Sequence, residues 1–396
     1  MAAMHRLQNA SRDYDWGSSS DIPHFLGSSP DGKPFAEIWM GTHELSPSEV
    51  EVEGVRTPLG EVAGQLPFMM KILAAGRPLS LQVHPNAQLA RIGFEAENQR
   101  GVPLDAPDRT YKDPRHKPEM AYALTTFDTL VGFRPTAEIL RVLDAIDTGL
   151  TGRLAEELRS KPGFDGIVRI VEQLLTEPPA PDEVAEVVEQ CRRLVAQHVD
   201  VKRAYVTLTE VADHFPGDPG LVITLLLNRV TLQPGEAAFL GAGIIHAHLH
   251  GMCIEVMTSS DNVLRAGLTS KHVDPDGLVT CLERGMSRLA RITPEVVGTE
   301  TEVFAPDVDE FALAVTQVAA SDASGTPLYG AGRRIVLCTG GRVELVTAGG
   351  GSTPLVRGDS VYVDSGDGEV RVVGTGEVAV AFTPDEETPG RLIDLV

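Results

Sequence analysis

Three short stretches of the chain carry nitrogen and oxygen donors at spacings that one metal ion could use: Leu79-Ser-Leu-Gln-Val-His-Pro-Asn86, Tyr111-Lys-Asp-Pro-Arg-His-Lys-Pro-Glu119 and Gly241-Ala-Gly-Ile-Ile-His-Ala-His-Leu-His-Gly251. Alternate side chains of a strand share a face, so Gln82 and His84 are expected to point the same way. Glu119 and His246 lie far off in sequence, as they would if each strand of a rigid barrel supplied one or two inward groups. Such a donor set suits Zn²⁺ with an open position, acting as a Lewis acid. His246, His248 and His250 alternate as well. His246 is the best placed of them because a Gly-Ala-Gly bend precedes it, whereas His250 abuts Gly251 and a turn and reads as a surface residue. Taken singly, each of these residues is more easily read as a hydrogen-bonded polar group, so the argument rests on their combination.

Cations accompany the candidate ligands, which a purely structural metal would not need. Lys117 lies two residues before Glu119, and Lys71 interrupts the apolar run Phe68-Met-Met-Lys-Ile-Leu73. A lysine in such company is costly unless it meets an anion. The segment Asp261-Asn-Val-Leu-Arg-Ala-Gly-Leu-Thr-Ser-Lys-His272 adds Arg265 and Lys271 shortly after Glu255. A guanidinium and an ammonium there could hold a phosphate or an enediolate oxygen, and Ser80 could donate to the same phosphate. Gly330-Ala-Gly332 is expected to be a turn, no nucleotide-binding fingerprint or Gly-x-Ser-x-Gly elbow is found, and Trp16 and Trp39 are expected in the core.

The elements that must position these groups follow from pattern and composition. At 396 residues the chain is long enough for two or three domains. Its 34 basic against 56 acidic residues give a net charge of −22, which argues against nucleic acid or an anionic membrane as a partner. The four cysteines follow no metal or disulfide spacing and read as reduced, buried thiols. No apolar run approaches the ~18 residues of a membrane span, and a cytoplasmic protein is expected.

From Tyr14 to Phe133, Gly, Pro and Ser break the apolar runs, which favours strands over long helices. After Pro135 the apolar period becomes helical through Ile139, Val142, Leu143 and Ile146, then Ile167, Ile170, Val171 and Leu174, then Val184, Val187, Val188, Cys191 and Leu194. Three or four helices are expected, broken at Lys161-Pro-Gly163 and at Pro178, Pro179 and Pro181. Strand character is expected to resume at Leu221-Val-Ile-Thr-Leu-Leu-Leu227 and to continue through Ala237-Ala-Phe-Leu240. Further strands are expected at Arg334-Ile-Val-Leu-Cys338, Arg342-Val-Glu-Leu-Val346 and Glu377-Val-Ala-Val-Ala-Phe382, separated by Gly-rich turns. No histidine follows His272, so a histidine-ligated metal belongs to the first β unit.

Taken in order, Tyr14-Asp-Trp-Gly-Ser18, Ala36-Glu-Ile-Trp-Met-Gly41, Pro78–Asn86, His116-Lys-Pro-Glu119, Gly241–His246 and Ser260–His272 resemble the type I phosphomannose isomerases, zinc-dependent enzymes of the cupin superfamily. The resemblance implies a mainly β fold with an α-helical insertion. A metal-bearing cupin domain would span 1–134 and 220–290, the insertion 135–219, and a cupin-like domain without metal 291–396. It implies one Zn²⁺ per chain held by Gln82, His84, Glu119 and His246, an active-site arginine at Arg265, and proton-transfer groups at Lys117 and Glu255. Ser80 and Lys271 would face the substrate phosphate, with Lys71, Asp261 and His248 lining the substrate site. The implied reaction interconverts mannose 6-phosphate and fructose 6-phosphate through a cis-enediol, in a monomer. This chain departs from the family in having Ile245 and His248 where proline and tyrosine are usual, and Arg115 for asparagine. A non-catalytic sugar-binding cupin would keep the ligands without needing Lys117, Glu255, Arg265 and Lys271 together, and a metal-dependent dioxygenase would want iron and an oxygen substrate.

Overall fold

The computed structural model describes residues 4–283, 290–319, 324–386, 388–389 and 393–395. Among the strands that precede a 13-residue helix, α1 (Ala87–Gln99), are β1 (Glu37–Met40), β2 (Phe68–Ala75) and β3 (Leu81–Val83). This helix departs from the expectation that strands are favoured over long helices in the region. It begins because Asn86 caps it, its side chain accepting the Leu89 N–H at 2.9 Å. Strands β4 (Glu119–Ala123) and β5 (Phe127–Phe133) follow.

The insertion contains five helices rather than three or four, α2 (Thr136–Asp144), α3 (Gly149–Ser160), α4 (Phe164–Thr176), α5 (Pro181–Ala196) and α6 (Ala204–Ala212), and a further short helix, α7 (Gly220–Thr224), follows its expected end at 219. The expected breaks hold. An additional one lies between α5 and α6, where His198, Lys202 and Arg203 take positive φ. The apolar stripes of α2, α4 and α5 are buried in one core with Leu81, Val83, Ile245 and Leu264 of the neighbouring strands. The segment Leu221–Leu227 is not a strand: its first residues form α7, and β6 (Leu227–Leu232) starts only at the end. A short apolar run buried on all sides has no period to tell helix from strand.

Strands β7 (Ala237–Leu240), β8 (His246–Thr258) and β9 (Leu264–Gly267) complete the region, with α8 (Pro275–Cys281) after them. The 13-residue β8 organises the site. Its first part pairs with β5 and, at His246↔Gln82, with β3, which in turn pairs with β9 at Gln82↔Arg265. Its second part, from Gly251 to Thr258, lies between β2 and β4, with Glu255 opposite both Lys71 and Ala121. Between the two parts the register slips at His248/His250, and Gly251 turns the corner at φ +109. A Cβ on Gly251 would sit 2.3 Å from the Thr126 carbonyl oxygen, so only glycine fits. The bulge shifts the parity of the strand. His246 and His248 face inward before it, Glu255 and Met257 after it, and His250 is left exposed.

The remaining sheet is built on β10 (Ala312–Val318), β11 (Arg334–Thr347), β12 (Ser360–Val363) and β13 (Val370–Phe382). The segments Arg334–Cys338 and Arg342–Val346 belong to one continuous strand, β11, rather than two, because a bulge at Cys338/Gly340 bends the ladder without breaking it. The two β units share a core in which Ile38, Met70, Ile72 and Ile254 meet Phe304, Phe311, Leu337 and Tyr362. They also exchange terminal strands. His5–Arg6 pairs with Tyr362 and Val361 of β12, and Ile393–Leu395 pairs with Ala290–Ile292, which flanks β7. The expected boundary at 290/291 adjoins residues 284–289, which lie outside the described residues. The fold is mainly β with a helical insertion, as expected.

Candidate metal centre

His84 leaves the end of β3, His246 begins β8 and Glu119 begins β4, so three strand ends bring their ligand atoms within 4.8 Å of one another. All three side chains are buried. The backbone fixes both imidazoles. Nδ1 of His84 lies 2.8 Å from the Asn262 carbonyl, and Nδ1 of His246 lies 2.9 Å from the Ile244 carbonyl. Since a carbonyl only accepts, each Nδ1 carries the proton and each Nε2 presents a lone pair. The bend before His246 is tied to the same place, with Gly243 at φ +77 donating its N–H to the His84 carbonyl at 2.9 Å.

The two lone pairs face a carboxylate that also only accepts. His84 Nε2 is 3.3 Å from Glu119 Oε1, and His246 Nε2 is 3.4 Å from Glu119 Oε2, yet His84 Nε2 and Glu119 Oε2 have no hydrogen-bond donor. Proximity of acceptors without a proton between them is the arrangement that a cation resolves. Burial lowers the His84 imidazole to about 4, against the pull of Glu119. Burial would raise the Glu119 carboxyl, but the His84 imidazole and the Lys117 ammonium hold it well below the usual range. Neutral imidazole and ionised carboxylate are the forms that bind metal. Gln82, beside them, directs Nε2 at His246 Nε2 from 3.3 Å, and turning its amide over would offer Oε1 at that position. The four residues expected to bind metal are therefore brought together, and they fit a divalent cation.

The centre opens into a cleft of ≈ 580 Å³ that also reaches Lys71, Ser80, Lys117, His248, Glu255, Asp261, Arg265 and Lys271. These cations are not equivalent. Lys117 lies 3.2 Å from Glu119, and Lys71 lies 2.7 Å from Glu255 and 3.2 Å from Glu37. The anion that Lys71 requires is thus supplied by two protein carboxylates, which leaves it no free charge for a phosphate. Burial works against the Lys71 ammonium, but Glu255 and Glu37 raise it well above its ordinary value; burial likewise opposes ionisation of Glu255, which Lys71 brings down to about 2. Arg265 and Lys271, by contrast, have no hydrogen-bonding or ion-pairing side-chain partner among the described residues. Burial lowers both, with Arg265 adding to the effect at Lys271.

His248 bridges Glu255, at 3.1 Å from Nε2, and Thr129, at 3.2 Å from Nδ1. Asp261 accepts from His43 at 3.3 Å. Arg115 donates to the Ser259 carbonyl at 2.6 Å, so it braces the loop rather than the cleft. Trp16 and Trp39 are not simply core residues: both line the cleft, and Trp39 Nε1 donates to Glu37 at 2.7 Å. Sequence reasoning passed over Glu37, Thr129 and Asn262. Glu37 lay within the quoted motif Ala36–Gly41, but its partners are 34 and 2 residues away and cannot be read from the motif alone.

Comparison with known proteins agrees with this geometry. Residues 4–136 match the family described as phosphomannose isomerase type I, catalytic domain. The chain is 35% identical to the mannose-6-phosphate isomerase of Salmonella typhimurium over 340 residues, covering 81% of this chain and 85% of that one. It is 32% identical to the Homo sapiens mannose-6-phosphate isomerase over 357 residues, covering 80% and 82%. Among solved structures, the Salmonella typhimurium enzyme bound to fructose 6-phosphate and zinc superposes with a TM-score of 0.87 at 31% identity, covering 97% of this chain and 100% of that one. A zinc-bound mannose 6-phosphate isomerase gives 0.87 at 32% identity with the same coverage. Similarity of this extent in both sequence and fold makes the chain a member of the type I phosphomannose isomerase family.

Proposed function

We propose that the protein interconverts mannose 6-phosphate and fructose 6-phosphate through a cis-enediol, with one Zn²⁺ held by Gln82, His84, Glu119 and His246. The observation that carries this reading is the pair of cations without an ion-pair partner among the described residues, Arg265 and Lys271, in the same cleft as the buried ligand group of a strongly acidic protein. A phosphorylated sugar needs both features. The zinc-bound relative with fructose 6-phosphate supports the assignment of substrate.

Aldose–ketose isomerisation moves one proton between C1 and C2 while negative charge develops on the neighbouring oxygens. Bound zinc would supply Lewis-acid charge for those oxygens. Arg265, with no carboxylate to neutralise it, adds a guanidinium aimed at the same charge. Lys271 and Ser80 take the phosphate at the outer part of the cleft. Glu255, kept ionised by Lys71 and braced by His248, and Lys117, held by Glu119, are the groups able to hold the travelling proton. Asp261, anchored by His43, accepts from a sugar hydroxyl. The four cysteines are buried and unpaired, which supports a protein working in the reducing cytoplasm.

The test is a coupled assay on the zinc-loaded protein. Mannose 6-phosphate should be turned over faster than neighbouring aldose phosphates, with activity lost on chelation and restored by zinc. A fully zinc-loaded protein that leaves mannose 6-phosphate unchanged sinks the reading.

A further inference from the structure

The loop that carries Lys271 leaves β9 through a turn that must be held in place. Leu268 has φ +54 although it is not glycine, and it is buried at 1% exposure. A branched side chain in the left-handed region persists only when its surroundings enforce it. Here the enforcement comes from the helical insertion. Asp218, between α6 and α7, accepts the Leu268 N–H on Oδ1 at 3.0 Å and the Thr269 N–H on Oδ2 at 3.3 Å. Its Oδ1 also takes the Gly220 N–H at 2.7 Å.

The backbones meet closely at this point. A Cβ on Gly220 would lie 2.9 Å from Leu268 N, and one on Gly267, at φ +126, would lie 2.8 Å from Gly220 Cα. Strand β9 and the start of α7 are therefore fitted together with no room for a side chain, and the carboxylate sets their relative position. The clamped Thr269 and, directly after it, Ser270 and Lys271 line the cleft, as do His214 and Phe215 from the stretch that leads into Asp218. Thr269 Oγ1 accepts the Lys271 N–H at 3.0 Å, which carries the constraint one step further.

We infer that Asp218 is a positioning residue for substrate phosphate: through Leu268 and Thr269 it fixes the loop that presents Lys271, alongside Arg265 of β9, to the anion. This rests on the phosphorylated-hexose reading above. It gives the helical insertion a part in substrate recognition. The Asp218 charge does not oppose the phosphate directly because three backbone N–H groups already meet it.

The experiment compares the zinc-loaded wild type with Asp218→Ala and Asp218→Asn. For Asp218→Ala the KM for mannose 6-phosphate should rise ~10-fold or more while kcat stays within about threefold. Zinc content should be unchanged, and inorganic phosphate titrated by calorimetry should bind correspondingly more weakly. Asp218→Asn keeps an acceptor for Gly220 and Leu268 but loses the one for Thr269, so it should fall between the two. A lower melting temperature with unaltered KM and phosphate affinity would make Asp218 a purely structural residue and overturn the inference. If Asp218→Ala does not fold, Asp218→Asn carries the same comparison, and wild-type values for it count against the inference. The two readings fail separately: wild type that binds phosphate but does not turn over mannose 6-phosphate ends the proposed reaction, while the calorimetric comparison still decides the role of Asp218. Wild type that binds no phosphate has no anion grip, and the inference falls.

Discussion

Each cation in the cleft acquires its role from whether a carboxylate faces it. Arg265 has none, and removing it as Arg265→Ala should lower kcat/KM for mannose 6-phosphate by ~10²-fold or more, the scale of losing one aimed electrostatic partner. Zinc content measured on the same sample should not change, because Arg265 meets the ligand Gln82 through the backbone ladder, which the substitution leaves in place. Lys71 is the opposite case. Lys71→Met leaves Glu37 and Glu255 buried without their shared ammonium, and the cost should be about 3–5 kcal/mol in urea denaturation. A loss under about 1 kcal/mol would mean that the carboxylates find other partners. At this scale the sequence was informative wherever a residue acts through its own type and strand parity, as Gln82, His84 and His246 do. It was silent where the role is conferred by distant partners: Lys71 and Arg265 are both cations near apolar residues, and only the fold gives one of them two carboxylates and the other none.

At the level of single elements, β8 has to serve two sheets. Its parity switch depends on Gly251, and Gly251→Ala should cost roughly 2–4 kcal/mol, since the new methyl meets the Thr126 carbonyl at a φ that other residues avoid. Activity should fall with stability, because the bulge sets whether Glu255 faces the cleft; an unchanged melting temperature would show that the corner relaxes. A second joint links β5 to the insertion, where Asp128 meets Arg229 at 2.7 Å, Arg203 at 3.3 Å and the hydroxyl of Thr231. Burial opposes ionisation of Asp128, but the Arg229 and Thr231 hydrogen bonds and the Arg229 charge bring it down to about 2. The sign follows from linkage: a carboxyl lowered in the folded state contributes stability that is complete above its unfolded value near ~3.9 and is lost as pH falls through the folded value. Urea midpoints between about pH 5 and 2 should therefore fall less steeply for Asp128→Asn than for the wild type. Element positions were legible from the sequence where a period existed, as in the stripes of α2, α4 and α5. They were not where apolar residues run on without a break, as in α7, or where a cap such as Asn86 starts a helix among turn-forming residues.

For the molecule as a whole, the metal is also a stabilising ligand. It binds a site that exists only when β3, β4 and β8 are in register, so at free zinc near 1,000 times its Kd it should add about 4 kcal/mol to folding. Calorimetric melting of the zinc-loaded and chelated protein reads this directly, and coincident transitions would mean that the ligand group does not hold zinc tightly. The two β units meet through their apolar faces. Phe304 packs edge-on against Tyr122 with ring centroids 5.3 Å apart, and one apolar layer serves both β units. Sequence patterning could assign strands to each unit but could not show that their faces close on each other.

The crossed ends of the chain bear on how the protein is made. Because Ile393–Leu395 pairs with the strand Ala290–Ile292 that borders β7, the sheet holding Glu119 gains this edge only long after Glu119 itself has been synthesised. His5–Arg6 must likewise wait for β12, whose residues follow much later in the sequence. The residues of the candidate metal centre, between 82 and 246, are therefore synthesised before the edge strand that borders the sheet holding them.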